Sequence, residues 1–305
     1  MANAHGIEVS HRKVEMVLPE RQTIYSDVDV EGIYLIATNR GLFLIRDHTL
    51  YLLLRGNFYG IARHGHFLYV YESVGKVGRI LKLDSGRNLE IDAKAEIAFA
   101  DLPGWIHQID MIDDSLFMTD TPNNRIIEWS FQKESWFEYY PLGKLSEQEA
   151  SPNYGHMNSI YKHKGSTYIV CHNQTAKTGR PSEIIKVDDQ FQVMDRIVTD
   201  SSCAHNLIVH QGIRYHCDSM NQSLKADGKV AFTAQHFTRG LSISDYQIVM
   251  GGSVFLKREE RQNGNGHLYV LNSDYTTRTS FLIPGMVQEV RRLDQKDYSF
   301  SIIEN

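Results

Sequence analysis

Histidines, amides and an arginine recur in this chain at one kind of place, the polar head of an apolar run. His107 heads one such run in WIHQIDMI, Asn158 follows His156 in HMNSIYKH, and His205 with Asn206 heads CAHNLIVH. Tyr59, Arg239, Gln288 and the pair Ser26/Asp27 stand at the matching places of four further runs. An imidazole titrates near neutrality, so it can give or take a proton or bind a metal. A guanidinium grips a carboxylate or phosphate with two parallel N–H bonds. Three kinds of chemistry follow. In the first, His107, His156 and His205 offer three imidazoles to a divalent metal ion with a fourth position open. They lack an HxxxH spacing, and His156 lies two residues off the register of the other two. In the second, His107 and His205 move protons and Arg239 clamps an anion, while Tyr59, Asn158, Asn206 and Gln288 orient the substrate. Proton abstraction beside a carbonyl, elimination, and hydrolysis by activated water all suit that set. In the third, the same groups grip an anionic or sugar-like ligand without chemistry. Against all three stands a structural reading, in which each residue is a buried polar tie between repeat units.

What must position these residues is a repeated unit. Each apolar run is followed by a short polar turn and a second run, as in WIHQIDMIDDSLFMTD and CAHNLIVHQGIRYHCD. Aligning the second runs gives seven copies, starting near Ser26, Tyr59, His107, Asn158, His205, Arg239 and Gln288, about 33 to 51 residues apart. Apolar and polar residues alternate within a unit, and GRILKLDSG and GHLYVLNSD read as third strands. A sustained 3.6-residue period is missing. Small sheets repeated in this way pack face to face around a channel, which makes the expected fold an all-β, seven-bladed β-propeller, with six blades as the alternative. The last copy ends with two strands, and GIEVSHRKVEMVLPE offers two more. N-terminal strands are therefore expected to complete the last blade and close one domain spanning 1–305. In such a ring the inner strands all begin at one mouth of the channel, so the polar heads converge there.

The turns TDTPNN and CDSMNQ, which follow second strands, resemble those of NHL and gluconolactonase-like propellers. The resemblance covers most of the chain as architecture. Gluconolactonase-type enzymes hold a divalent metal with a Glu and Asn/Asp set at the channel. That full set has no residue-by-residue match here, so the resemblance implies the fold and leaves the activity open.

Composition narrows the partners. A net charge of −5 argues against nucleic acid and anionic membranes. In FLKREERQ, Lys257, Arg258 and Arg261 are offset by Glu259 and Glu260. The most apolar run, GLFLIRDHTLYLLLRG, is broken by Arg46, Asp47 and His48, too soon to span a bilayer. The opening residues lack the apolar stretch of a secretory signal. Cys171, Cys203 and Cys217 form neither a disulfide framework nor a CxxC site, so a reducing cytoplasm is the expected compartment. Asp218-Ser219 and Asp120-Thr121 read as turn formers, and QNGNG as a hairpin turn. The insertion HNQTAKTGRPSE brings His172, Lys177 and Arg180, which are left outside the site because its turn is expected at the opposite mouth. The function expected is a hydrolase, lyase or isomerase acting on a polar or anionic metabolite. The alternative is a ligand-binding or protein-docking propeller.

Overall fold

The computed structural model describes residues 14–86, 88–91, 94–145, 154–256, 260 and 263–301. Six antiparallel sheets form six blades. Their inner strands are Phe58–His64 (blade 1), Ile106–Ile112 (blade 2), Met157–His163 (blade 3), Ala204–His210 (blade 4), Phe237–Ile243 (blade 5) and Val287–Arg292 (blade 6). Inner and second strands are buried on both faces and read as near-continuous apolar runs, such as Tyr34–Thr38. Outer strands such as Val193–Val198 are half-exposed or exposed along their whole length.

The blade count corrects the expected seven to six. Val287–Arg292 and Tyr34–Thr38 are neighbours in one sheet, with Val287 opposite Thr38 and Arg292 opposite Tyr34. The first and last copies are thus two parts of blade 6, which the repeat alignment counted twice. Ser26/Asp27 follows the outermost strand of that blade, Gln22–Tyr25, and heads no inner strand. Of the N-terminal segment, Val14–Val17 pairs with the outer strand of blade 1, Val14 lying opposite Ile97. Residues 1–13 of that segment, and Lys257, Arg258 and Arg261, lie outside the described residues.

Among the described residues six apolar clusters lie one to each junction between neighbouring blades. The blade 6–1 junction packs Leu35, Leu42 and Leu44 on Phe58, Ile61 and Val70. The blade 3–4 junction is the sparest, with Tyr161, Val170, Ile184, Ala204 and Leu207. Cys171 and Cys217 are core residues whose thiols burial pushes well up.

The TDTPNN and CDSMNQ turns share one device. Both carboxylate oxygens of Asp120 accept from Nδ2 of Asn123, at 3.0 and 2.9 Å, and those of Asp218 accept from Nδ2 of Asn221, at 3.1 and 3.0 Å. The side chain locks the turn from strand two to strand three. Asp120 also pairs with Arg125 (2.5 Å), and Asp218 lies 3.8 Å from the amine of Lys225.

The chain's last described residues cross the far end of the channel. Asp297 accepts from Ser242 Oγ (2.8 Å), Arg292 N (2.6 Å) and Ser299 N (2.9 Å). Asp110 of blade 2 accepts from the backbone N–H and hydroxyl of Ser301 (3.1 and 2.5 Å), and Arg63 of blade 1 donates to Leu293 O at 2.9 Å. The guanidinium of Arg291 donates to Ser299 O and packs against the Phe300 ring. This end is sealed.

Candidate active site at the channel mouth

The inner strand of each blade breaks register at the same place. The shifts fall between Phe58 and Ile61, Ile106 and Ile109, Met157 and Ser159, His205 and Ile208, Thr238 and Leu241, and Val287 and Glu289. A bulge interrupts the alternation of side chains and re-aims them locally. Six pairs result: Tyr59-Gly60, His107-Gln108, Asn158-Ser159, His205-Asn206, Arg239-Gly240 and Gln288-Glu289. The first members are the strand-head residues picked out in the sequence apart from Ser26/Asp27; Asn206 is a second member, and His156 precedes the strand Met157–His163.

The second members tie the blades together. Gln108 Oε1 accepts from Ile160 N of blade 3 (2.7 Å), Ser159 Oγ from Asn206 N of blade 4 (3.0 Å), and Asn206 Oδ1 from Gly240 N of blade 5 (2.9 Å). Gln108 Nε2 and Asn206 Nδ2 then donate to the two carboxylate oxygens of Glu289, at 3.4 and 3.2 Å. Glu289 is 1% exposed, with the Arg291 guanidinium 3.7 Å away. Burial raises its carboxyl pKa, against the lowering pull of Arg291 and Arg239. A cross-linked polar floor closes the mid-channel. Asn206 belongs to that floor, with both amide atoms engaged. Asn158 is similarly committed, its Nδ2 donating to Ala204 O at 2.8 Å and its Oδ1 accepting from Ser159 Oγ at 3.1 Å. The structure therefore gives Asn158 and Asn206 protein partners where the sequence suggested substrate contacts.

Above the floor sits a train of imidazoles. Ring centroids are 5.8 Å apart for Tyr59 and His107, 5.0 Å for His107 and His156, 4.5 Å for His156 and His172, and 5.2 Å for His172 and His205. Phe237 follows at 5.6 Å from His205. Arg239 reaches from blade 5 over the Tyr59 ring at 5.5 Å, and its Nη2 donates to His107 O at 3.3 Å. Gln288 Oε1 is buried without a hydrogen-bond partner.

Local backbone fixes the ring orientations. Trp105 and Cys203 adopt left-handed φ values of 68° and 58°, two residues before His107 and His205. Their carbonyls each meet Nδ1 of the histidine at 2.9 Å. His205 Nδ1 also lies 2.8 Å from Ser219 Oγ, whose hydroxyl donates to Thr238 O at 2.6 Å. His156 Nδ1 meets the Tyr154 hydroxyl at 3.0 Å. His172 directly follows the second strand of blade 3, Ser166–Cys171, and its Nδ1 accepts from Gln174 N at 3.0 Å. The helical turn Thr175–Thr178 after it is tied to blade 4, where Cys203 N donates to Thr175 Oγ1 at 3.2 Å.

All four imidazoles resist protonation. Burial is the main cause for His107, His156, His172 and His205, with Arg239 adding repulsion in each case; for His172 the His156 ring adds more than Arg239 does. His156 is held down at about 4, and the other three well below the usual histidine value. Among the described residues no carboxylate pairs with any of the four. Likewise, no group of three or more His, Cys, Asp or Glu side chains there has the geometry to hold a metal ion, and this includes His107, His156 and His205.

Two contributors were missed in the sequence. The sequence puts the turn after His172 at the opposite mouth, and the structure brings His172 to the imidazoles instead. An antiparallel second strand ends where the first begins, so strand parity alone would have brought His172 to the site. Ser219, read as a turn former, also braces His205, a contact across strands with no sequence signal.

No protein-family model matches the chain, and no curated protein matches it. Solved structures do. A chain of a nidogen–laminin complex is 11% identical with a TM-score of 0.61, covering 87% of this chain and 99% of its own. A protein of unknown function from Bacteroides caccae is 11% identical, with a TM-score of 0.56 and coverage of 87% and 100%. Regucalcin, a calcium-binding protein of Agrobacterium tumefaciens strain C58, is 12% identical, with a TM-score of 0.50 and 75% of each chain covered. The protein is a six-bladed β-propeller similar to these, and at such identities the likeness concerns the fold. Among the described residues no helix is long and apolar enough to cross a membrane.

Proposed function

We propose that the protein is an enzyme of hydrolase, lyase or isomerase type acting on a small anionic metabolite at the histidine-lined mouth. One observation carries this reading: four imidazoles and the Arg239 guanidinium share one space without a carboxylate paired to any of the imidazoles. A half-buried guanidinium beside neutral imidazoles can receive an incoming negative group. Arg239 holds the anion. His107 and His205, neutral at pH 7 and within one ligand's reach, accept the proton that the reaction releases. Tyr59 and Gln288 complete the wall. The floor of Gln108, Asn206 and Glu289 limits the substrate to the upper channel. A non-catalytic ligand-binding propeller is the rival reading, and both require the anion.

Calorimetry with inorganic phosphate and short carboxylates tests the shared premise. Binding that weakens at least tenfold in Arg239→Gln supports the anion site, and no binding by any probe overturns it. Turnover screening of carboxylate and phosphate esters with wild type and His205→Gln then separates enzyme from binder. Activity lost in His205→Gln with binding retained supports catalysis.

A further inference from the structure

The hydrogen bonds on the far side of each imidazole decide what its near side offers. A backbone carbonyl is only an acceptor, so the Nδ1 of His107 facing Trp105 O and the Nδ1 of His205 facing Cys203 O must carry the proton. In the neutral ring the other nitrogen is then bare, and the Nε2 atoms of His107 and His205 are hydrogen-bond acceptors. A backbone N–H is only a donor, so the Nδ1 of His172 facing Gln174 N must be bare, which leaves its Nε2 protonated. The two kinds of ring are neighbours, His172 lying 5.2 Å from His205 between centroids. None of these three Nε2 atoms has a hydrogen bond to another described residue, and Gln288 Oε1 adds a further buried acceptor.

We infer that the mouth is polarised, with acceptors at His107, His205 and Gln288 and a donor at His172, and that its ligand is a hydroxycarboxylate. This rests on the anion site proposed above and names its ligand class. The carboxylate engages Arg239. The hydroxyl is the group that answers both neighbours at once, donating its proton to His205 Nε2 and accepting from His172 Nε2–H. A plain carboxylate leaves those two nitrogens unanswered, and a site built to hydrogen-bond a hydroxyl discriminates strongly against the analogue that lacks it.

The test has two arms on the full-length protein. Long-range proton–nitrogen NMR at pH 7.5 on 15N-histidine-labelled protein reads each tautomer, with assignment by single His→Gln variants. The expected pattern is Nδ1–H for His107 and His205 and Nε2–H for His172. One common tautomer for all three overturns the inference whether or not anything binds. Calorimetry then compares acetate with glycolate, which differ by one hydroxyl. Glycolate is expected to bind at least tenfold tighter, and that preference to vanish in His172→Phe and survive in part in His172→Gln, whose amide still donates. Equal binding of the two, weakened in Arg239→Gln, sinks the hydroxycarboxylate class and leaves the anion site standing. If neither binds and phosphate also fails, the anion site itself falls, and the ligand class falls with it.

Discussion

The two ends of the channel are built from the same six strands and treat charge in opposite ways. At the sealed end, Asp110 and Asp297 are buried but answered by serine hydroxyls and backbone N–H groups, with Arg291 bridging floor and seal. At the other end Arg239 lies over the Tyr59 ring beside four imidazoles, and among the described residues no carboxylate pairs with those imidazoles. Buried ionic groups whose partners are supplied by the chain serve to hold the ring together. Neutral imidazoles beside a guanidinium offer polar atoms that a ligand can use. The comparison therefore separates architecture from function within one channel, where residue type alone does not.

The sharpest way to break the comparison is at the floor between the two ends. Glu289→Ala strands Arg291 and the amides of Gln108 and Asn206, a change expected to cost about 3–5 kcal/mol. Denaturant unfolding would show it, with Glu289→Gln losing clearly less. Next comes the seal. Asp297→Ala removes three buried hydrogen bonds and should destabilise by about 2–4 kcal/mol. The histidine resonances of the other mouth should stay where they are, and movement of those resonances would mean that the ends are coupled.

Arg239→Gln is expected to do the reverse. Its effect on stability should be under about 1 kcal/mol, while anion affinity falls and the four imidazoles titrate at higher pH, as read by NMR. A separate readout is the pH dependence of stability. His156 has its pKa held at about 4, below the ordinary histidine value, so its contribution is complete above about pH 6.5. That contribution is lost as pH falls toward 4, because the unfolded chain takes up the proton first. Asp110 works the other way: burial raises it to about 6, so its contribution is present near pH 4 and lost as pH rises through 6. Asp110→Asn should therefore steepen the acid-side loss in a pH series of melting temperatures. An unchanged slope would mean that Asp110 titrates normally.

Much of the architecture was legible in the chain. Paired apolar runs with polar turns specify sheets, and their recurrence specifies blades. Six of the seven aligned heads mark structurally equivalent bulged positions. The seventh, at Ser26/Asp27, failed because a second strand looks alike whether its partner precedes it or lies at the far end of the chain. Tyr34–Thr38 takes Val287–Arg292 as that partner, a pairing across the whole sequence that no local pattern announces.

The sequence by itself determined the all-β class, the repeat, and that His107, His205, Tyr59, Arg239 and Gln288 stand at strand heads, because side-chain period and turn chemistry are local. Only the tertiary structure decided that His172 joins them, that Asn158 and Asn206 tie blades, and which nitrogen of each imidazole is bare. Those outcomes depend on which carbonyl or N–H comes within 3 Å of a ring, as Trp105 O, Cys203 O and Gln174 N do. Such proximity exists only once the blades are in place.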